Sequence, residues 1–385
     1  MLTQNKKIAI VGGGMGGLTL ARLLQLHGAD VSVYERDLNR NIRVQGSTLD
    51  LHEGTGLEAM KRAGLLAEFY KYHRPTASKL RIVDKGLVVK FDDHDDHVSA
   101  AENRPEIDRA PLRDILLNSL EERTVIWDSQ FVAMEKSGEG WLLSFKNKQD
   151  AYADLVIGAD GANSKVRPYL SDVKAVYAGI TLIEGNIYEA KKNVPNLFEL
   201  TKGGKVMAFG EGQFIGYGTK EDGSVMFVAS TKMPENELEK IAVDFRDKKQ
   251  VLHWFKNYFS GWDSSWYEFF TNDSVQFIPR PQYYFPLDQN WETQTNLTII
   301  GDAAHRMPPF AGEGANVAMQ DAFELTECLT NGKHETLLDA IGYFEKDMIR
   351  RGAEATQETL ENSDRMHSTN ALSTMLAFFG QSIKD

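Results

Sequence analysis

Cys328 is the single cysteine among 385 residues, so no internal disulfide can form and a reducing compartment is the simpler expectation. No run of 18 apolar residues occurs, and no transmembrane helix is expected. Basic residues are outnumbered, 43 Lys and Arg against 55 Asp and Glu, for a net charge of −12. That balance disfavours nucleic acid or an anionic membrane as partner, while leaving room for a local basic pocket around a phosphate. The first residues run into a strand-like segment without a signal-peptide pattern, so a cytoplasmic location is expected. The nine histidines lack metal-ligand spacing; His94 and His97 flank aspartates in what reads as a solvated turn. No metal, no repeat and no low-complexity tract is expected.

What is there is an ordinary globular composition, 42% hydrophobic and 25% charged, in a chain long enough for two domains. Residues 8–11 are a continuous apolar run, suited to a strand buried on both faces. A glycine cluster follows, then a helical pattern through Leu18, Ala21 and Leu24 closed by Gly28, then a strand over 31–34 ending at Glu35. This is a βαβ unit. Further on, the pattern predicts a polar loop at 39–45, helices over 57–69 and 109–122, and a hairpin turn at 92–97. Segments 125–128, 131–134 and 141–145 read as a small antiparallel meander, and 155–157 as a second buried strand. Between 172 and 285, aromatic-rich alternation at 213–217 and 224–229 predicts an antiparallel sheet. A third buried strand falls at 297–300, and the last 70 residues are helical in pattern. Buried strands followed by glycine turns lie far apart in the chain, so the domain they build must be discontinuous.

The first glycine turn is Gly12-x-Gly14-x-x-Gly17. Its glycines serve a tight turn, close approach of backbone to a pyrophosphate, and close helix–strand packing, with the helix N-terminus facing the phosphates. In a chain this rich in glycine roughly 0.2 such matches arise by chance, so the pattern alone is weak. Its context is stronger: a strand precedes it, a helix follows, and Glu35 stands where a carboxylate accepts from ribose hydroxyls. A glycine-rich structural turn beside a solvated Glu is the competing reading. The motif does not separate NAD from FAD.

Two later segments do. Residues 154–167 contain Gly158-Ala159-Asp160-Gly161 followed by Ser164 and Arg167, and resemble the Asp-Gly motif of the single-component FAD-dependent aromatic hydroxylases. Residues 298–305 contain Gly301-Asp302, followed by Pro309, Gly312, Gly314, Asn316 and Asp321, and resemble that family's Gly-Asp motif. Singly, Asp160 reads equally as a turn residue and Asp302 as a helix N-cap. Three motifs in order are specific, and the resemblance spans about residues 7–350. It implies an α/β fold of the p-hydroxybenzoate hydroxylase-like type: a discontinuous Rossmann-like FAD-binding domain (1–74, 102–171 and 286–330), an antiparallel-sheet substrate domain (75–101 and 172–285), and a C-terminal helix (331–385) bracing both.

Val33-Tyr34-Glu35-Arg36, Thr48-Leu49-Asp50-Leu51-His52, Pro105-Glu106-Ile107, Leu112-Arg113 and Met307-Pro308-Pro309-Phe310-Ala311-Gly312 resemble, more narrowly, the tetracycline-inactivating flavin monooxygenases. That resemblance implies FAD held by Gly12, Gly14, Gly17, Glu35, Arg36, Asp50, Arg109, Asp160 and Asp302. It implies Gly312, Glu313, Gly314 and Ala315 along the isoalloxazine, and Arg43 at NADPH or the FAD pyrophosphate. Arg109 reads otherwise as a helix-start arginine and Arg43 as a solvated one.

The implied chemistry reduces FAD with NADPH and passes oxygen from O₂, through a flavin C4a-hydroperoxide, to an electron-rich small molecule. The cofactor carries that chemistry, so the protein's part is orientation and electrostatics, with Pro309 and Gly312 at the reacting centre and no protein nucleophile. His305 beside the Gly-Asp turn is expected to fix the loop rather than transfer protons. Where tetracycline monooxygenases present an amide, an arginine and a histidine to the drug, this chain holds Glu184, Lys205 and Met226. Another aromatic polyketide or phenol therefore stands beside tetracycline as substrate. The flavin halogenase signature Trp-x-Trp-x-Ile-Pro is absent, Trp262 and Trp266 having the wrong spacing. A non-catalytic flavin- or drug-binding protein is the reading from a different class, and a monomer is expected.

Overall fold

The computed structural model describes residues 1–42, 48–95, 104–273 and 275–382. Its first sheet is five-stranded and parallel, in the order Leu297–Ile299, Leu155–Gly158, Lys7–Val11, Asp30–Tyr34, Val125–Ile126. The apolar runs explain the centre: Ile10 and Ile157, paired in register, are both fully buried. Such strands lose water from both faces only in a sheet covered on both sides. The helix Met15–Leu26 makes the crossover and packs on the helix Glu313–Thr330. Their approach is close, because a Cβ at Gly16 would stand 2.9 Å from the Ala318 carbonyl oxygen.

Several local expectations change. Residues 125–128 are not part of the meander: Val125–Ile126 pairs in parallel with Asp30–Tyr34, after which Asp128 turns the chain with φ 57°. The meander consists of Phe131–Ser137, Gly140–Phe145 and Ala151–Ala153. The helix expected over 57–69 is two, Gly56–Arg62 and Leu66–Tyr72. Gly64, at φ +74°, ends the first with its N–H on the Lys61 carbonyl while Leu65 N–H reaches Met60, a left-handed C-terminal stop. The helix from Arg109 closes at Asn118, where the Ser119 hydroxyl turns back to the Leu116 carbonyl. The hairpin turn lies at 85–88, between Leu80–Asp84 and Val89–Asp92; Asp92 is a strand residue paired with Arg81, and His97 falls outside the described residues.

The second large sheet has seven strands, in the order Ile278–Tyr284, Val176–Ile187, Val225–Lys232, Gln213–Thr219, Lys205–Phe209, Leu80–Asp84, Val89–Asp92. Every pairing is antiparallel except that of Lys205–Phe209 with Leu80–Asp84. Alternation sorts its two faces. Ile183, Val206, Ile215, Tyr217, Val225 and Phe227 point into an aromatic core with Trp254, Trp266, Phe269 and Phe270. Phe227 stacks on Phe269 at 4.3 Å. The other face carries Glu184, Asn186, Lys205, Met207, Gly216, Gly218, Met226 and Val228, all only half-buried.

The C-terminal region is two helices rather than one. Leu337–Met366 packs on Glu313–Thr330, and Ala371–Ser382 crosses to the seven-stranded sheet, where Ala371 and Met375 join Leu80, Ile82, Phe209 and Phe214.

Candidate functional site

The three glycine turns leave the carboxyl ends of three neighbouring parallel strands: Gly12 after Lys7–Val11, Asp160 after Leu155–Gly158, Gly301-Asp302 after Leu297–Ile299. Ligands of open parallel sheets bind at that edge. The glycines divide by cause. A Cβ at Gly12 would stand 2.3 Å from the Ala159 carbonyl oxygen, and one at Gly17 would stand 2.2 Å from that of Gly12, so chain packing alone requires both. Gly14 has ordinary φ −79°, and a Cβ there would meet nothing within 4 Å. It caps a helix start with no side-chain cap and no acidic residue in its first turn. Free N–H groups and bare backbone fit a pyrophosphate.

Glu35 is buried and held rigidly: Oε2 accepts from Gly13 N–H at 2.7 Å and Oε1 from Asp37 N–H at 3.0 Å. Arg36 beside it is exposed. The loop after Glu35 is fastened by buried Arg113, which donates to the Arg40 carbonyl at 2.9 Å and the Asp37 carboxylate at 3.4 Å. Arg43 lies outside the described residues.

Asp160 Oδ2 accepts from Lys165 N–H at 2.7 Å, whereas its Oδ1 is buried without a hydrogen-bond partner. Burial raises its pKa above the usual carboxylate range. Ser164 Oγ accepts from the N–H groups of Val166 (3.1 Å) and Arg167 (2.9 Å). Arg167 then reaches the third motif, donating to the carbonyls of Ala303 (3.1 Å) and Ala304 (3.0 Å) and to Gln289 Oε1 (2.7 Å). Its guanidinium lies 3.5 Å from the Phe285 ring centroid, and burial lowers its pKa to about 10. Asp302 keeps solvent-accessible surface although protein surrounds it. That surrounding raises its pKa, against the opposing pull of His305, Arg109 and Arg306. A buried orphan oxygen on Asp160 and an accessible carboxylate on Asp302, with bare backbone between them, suit the hydroxyl-rich chain of FAD.

His305 is enclosed: its Nε2 lies 2.6 Å from Asp321 Oδ2, with the two side chains 1% and 0% exposed. Burial opposes its charge, but the Asp321 carboxylate prevails and raises its pKa. Asp321 also accepts from Gly301 N–H at 2.9 Å and from Arg351 at 3.2 Å, so this pair fixes the turn.

The third motif continues to Gly312, whose φ of +73° starts the helix Glu313–Thr330 without a side-chain cap. Gly312, Glu313, Gly314 and Ala315 are half-buried there; Pro309, three residues earlier, is exposed. Asp50 comes against this start, its Oδ1 3.1 Å from where a Gly312 Cβ would sit. Asn316 sews the two together, donating to the carbonyls of Asp50 (2.8 Å) and Gly312 (3.2 Å) and accepting from His52 N–H (2.9 Å). His52 then bridges two carboxylates, Nε2 to Asp50 at 2.9 Å and Nδ1 to Glu313 at 3.2 Å. Burial works against its charge, yet hydrogen bonds donated to both carboxylates raise its pKa to about 9. Asp50 is held below its ordinary value, burial being outweighed by His52 and Lys205. The roles of His52, Asn316 and Arg113 were not assigned from the sequence. The only signal for His52 is its spacing of two from Asp50, which puts both on one side of an extended segment.

Lys205 pairs with the buried carboxylate of Glu106, whose strand Glu106–Ile107 pairs with Leu49–Asp50. Burial would lower the Lys205 pKa, but Glu106 and Asp50 raise it. Glu184 accepts from Arg280 Nε at 2.9 Å. Met226 shares the half-buried sheet face with both. Among the described residues no group of three or more His, Cys, Asp or Glu is arranged to hold a metal, and no helix is long and apolar enough to cross a membrane.

Residues 5–206 and 289–340 match the family model described as FAD binding domain. The chain belongs to that family. It is a FAD-dependent monooxygenase of the class A flavoprotein type, and its fold is p-hydroxybenzoate hydroxylase-like, as the sequence resemblance implied. Monooxygenase penA of Penicillium thymicola is 27% identical, over 96% of this chain and 97% of its own. Solved structures share the fold. Klebsiella pneumoniae HpxO complexed with FAD and uric acid superposes with TM-score 0.77 at 18% identity, covering 100% of this chain and 94% of that one. Tetracycline destructase Tet(55) superposes with TM-score 0.78 at 19% identity, covering 100% and 96%.

Proposed function

We propose that this monooxygenase hydroxylates an electron-rich aromatic or polyketide small molecule, consuming NADPH and O₂. The observation that carries the reading is the Lys205–Glu106 ion pair beside Asp50. It joins the half-buried face of the seven-stranded sheet to the start of the helix Glu313–Thr330, so substrate face and flavin segment adjoin.

FAD, reduced by NADPH, supplies the oxygen-activating chemistry when bound. The residues that would hold it are Gly12, Gly14 and Gly17 with Glu35, then Asp160 and Asp302, with Asp50 and Arg109 alongside. Arg36 and Arg43 are assigned by resemblance only. Gly312, Glu313, Gly314 and Ala315 offer uncapped N–H groups and the positive helix end, which stabilise negative charge by about 0.3–1 kcal/mol when exposed and more when sheltered. Pro309 and Gly312 shape the loop at the reacting centre. His52 keeps a proton between Asp50 and Glu313, damping two negative charges beside that helix start. Glu184, Lys205 and Met226 would face the substrate.

Tetracycline is the finer reading. The likeness to Tet(55) supports it, while Glu184, spent on Arg280, weighs toward another ring system. The test is to load the protein with FAD and follow NADPH oxidation with tetracycline and with simple phenols, reading products by mass spectrometry. Substrate-stimulated consumption and a gain of one oxygen are expected. Absence of NADPH consumption with every aromatic compound would leave a flavin-binding protein instead.

A further inference from the structure

We propose that Asn186 forms a specificity subsite for a cis-amide edge, that is, a lactam fused to an aromatic ring, in the substrate of this enzyme. The inference rests on the reading of the half-buried sheet face as the substrate surface.

Cross-strand register places the residue. Lys205 pairs with Gly218, Gly218 with Met226, and Met226 with Asn186, so one row runs across four strands. Directly opposed residues share a face of the sheet. Asn186 therefore points to the side of Lys205 and Met226, away from the aromatic core that its neighbour Ile187 enters. Gly218 carries no side chain and the stem of Lys205 lies against it: a Cβ there would be 3.3 Å from both the Gly204 carbonyl oxygen and Lys205 Cγ.

The amide is unspent. Both Nδ2 and Oδ1 of Asn186 are shut off from solvent without any hydrogen-bond partner. The polar side chains that share its face are engaged elsewhere: Lys205 with Glu106, Glu184 with Arg280, and Ser230 with His367 Nε2 at 2.7 Å. A buried polar group left without partners is costly, and native proteins retain few of them without a use.

A carboxamide presents a donor and an acceptor side by side. Its complement is a group with N–H and C=O on adjacent atoms in cis, as in a lactam, met by two parallel hydrogen bonds. A phenol offers one hydroxyl and satisfies half of it. Three strand steps separate Asn186 from Lys205, roughly 14 Å, which suits two or three fused rings lying over Met226 between the amide and the Lys205 stem. The flexible thioether of Met226, next in the row, is the group that yields when a ligand comes to the amide.

The probes are 4-hydroxy-2-quinolinone, its N-methyl derivative, and 1,3-dihydroxynaphthalene, which replaces the lactam by carbon and hydroxyl. Each is titrated into FAD-loaded wild type, Asn186→Leu and Asn186→Ser, following the flavin absorbance change. Wild type should prefer the quinolinone over both others by about tenfold, the worth of one to two hydrogen bonds. Both variants should lose that preference, their affinity for the quinolinone falling to the level of its N-methyl derivative. Asn186→Leu should also melt no lower than wild type, because an apolar isostere relieves the orphaned amide. Equal preference in wild type and variants overturns the proposal, as does a lowered melting temperature in Asn186→Leu, which would mark a structural amide. If wild type binds none of the three, the substrate-face reading itself fails; if it binds all three alike, only the Asn186 subsite fails.

Discussion

Arg167 donates through Nη1 to the carbonyl oxygen of Ala304, 3.0 Å away, and so ties the second glycine motif to the third across 137 residues of chain. With Ala303 and Gln289 it satisfies three buried acceptors at once. Arg167→Leu should cost on the order of 3 kcal/mol by stranding the Ala303 carbonyl and Gln289 Oε1, the Ala304 carbonyl keeping its bond from Gln289 Nε2, and should release FAD. Thermal melting and retained yellow colour check it; an unshifted melting temperature would mean the acceptors find other donors. Arg167→Lys should rescue little, because one ammonium does not reproduce the planar fork over Phe285.

The glycines of the first motif should behave in opposite ways. Gly17→Ala and Gly12→Ala drive a methyl into backbone carbonyls and should abolish folding. Gly14→Ala meets nothing in the protein and should melt as wild-type apoprotein does, yet bind FAD about tenfold more weakly. Fluorescence titration of apoprotein with FAD separates the cases. Undiminished affinity in Gly14→Ala would remove Gly14 from the pyrophosphate cradle.

His52 has a folded-state pKa of about 9, above its ordinary 6.5, so its stabilisation is complete below 6.5 and disappears as pH rises through 9. Wild type and His52→Asn should therefore differ most in melting temperature near pH 6 and converge by about pH 10. A constant gap across that range would show that the imidazole acts through packing rather than charge.

Cys328 is 8% exposed, and burial, reinforced by Glu324 and Glu327, lifts its thiol to about 11. The thiolate is the reactive form, so native protein should resist a disulfide reagent and release one equivalent only on denaturation. Rapid native reaction would indicate local opening of the helix Glu313–Thr330.

Asp302→Ala should lose flavin or hydroxylation while still folding, since its carboxylate remains accessible rather than locked into the core. Absorbance of the purified variant and product analysis read this directly. Retention of both would displace Asp302 from the cofactor.

Long apolar strands and glycine turns are visible in sequence because each is a local pattern. Ile8–Ile10 and Leu155–Ile157 announce burial, but that they are sheet neighbours depends on pairing across 147 residues, which only the shared motif logic suggested. The two-residue strand Val125–Ile126 is too short for any period to declare its partner. Gly64 did carry a stop signal, masked by apolar residues continuing at helical spacing beyond it. The hairpin at 85–88 is set by the Asp84 carboxylate accepting from the N–H groups of Gly86 and Val88, whereas the charged run from Asp92 ends the second hairpin strand and turns at His94 and Asp95. His52 was illegible as a site residue because one of its two carboxylates stands 261 positions away at Glu313. Asn186 looked like any strand residue; its isolation exists only once its neighbours have chosen other partners.

The strand Leu297–Ile299 has consequences for how the chain matures. It forms the outer edge of the parallel sheet and brings in Asp302, yet residues 1–296 leave the ribosome before it does. With Asp302 as a flavin contact, as proposed, cofactor capture would follow most of synthesis. Until then the edge of Leu155–Gly158 is an unpaired apolar template, open to pairing with another nascent chain, and flavin supply should govern how much of the newly made protein escapes aggregation.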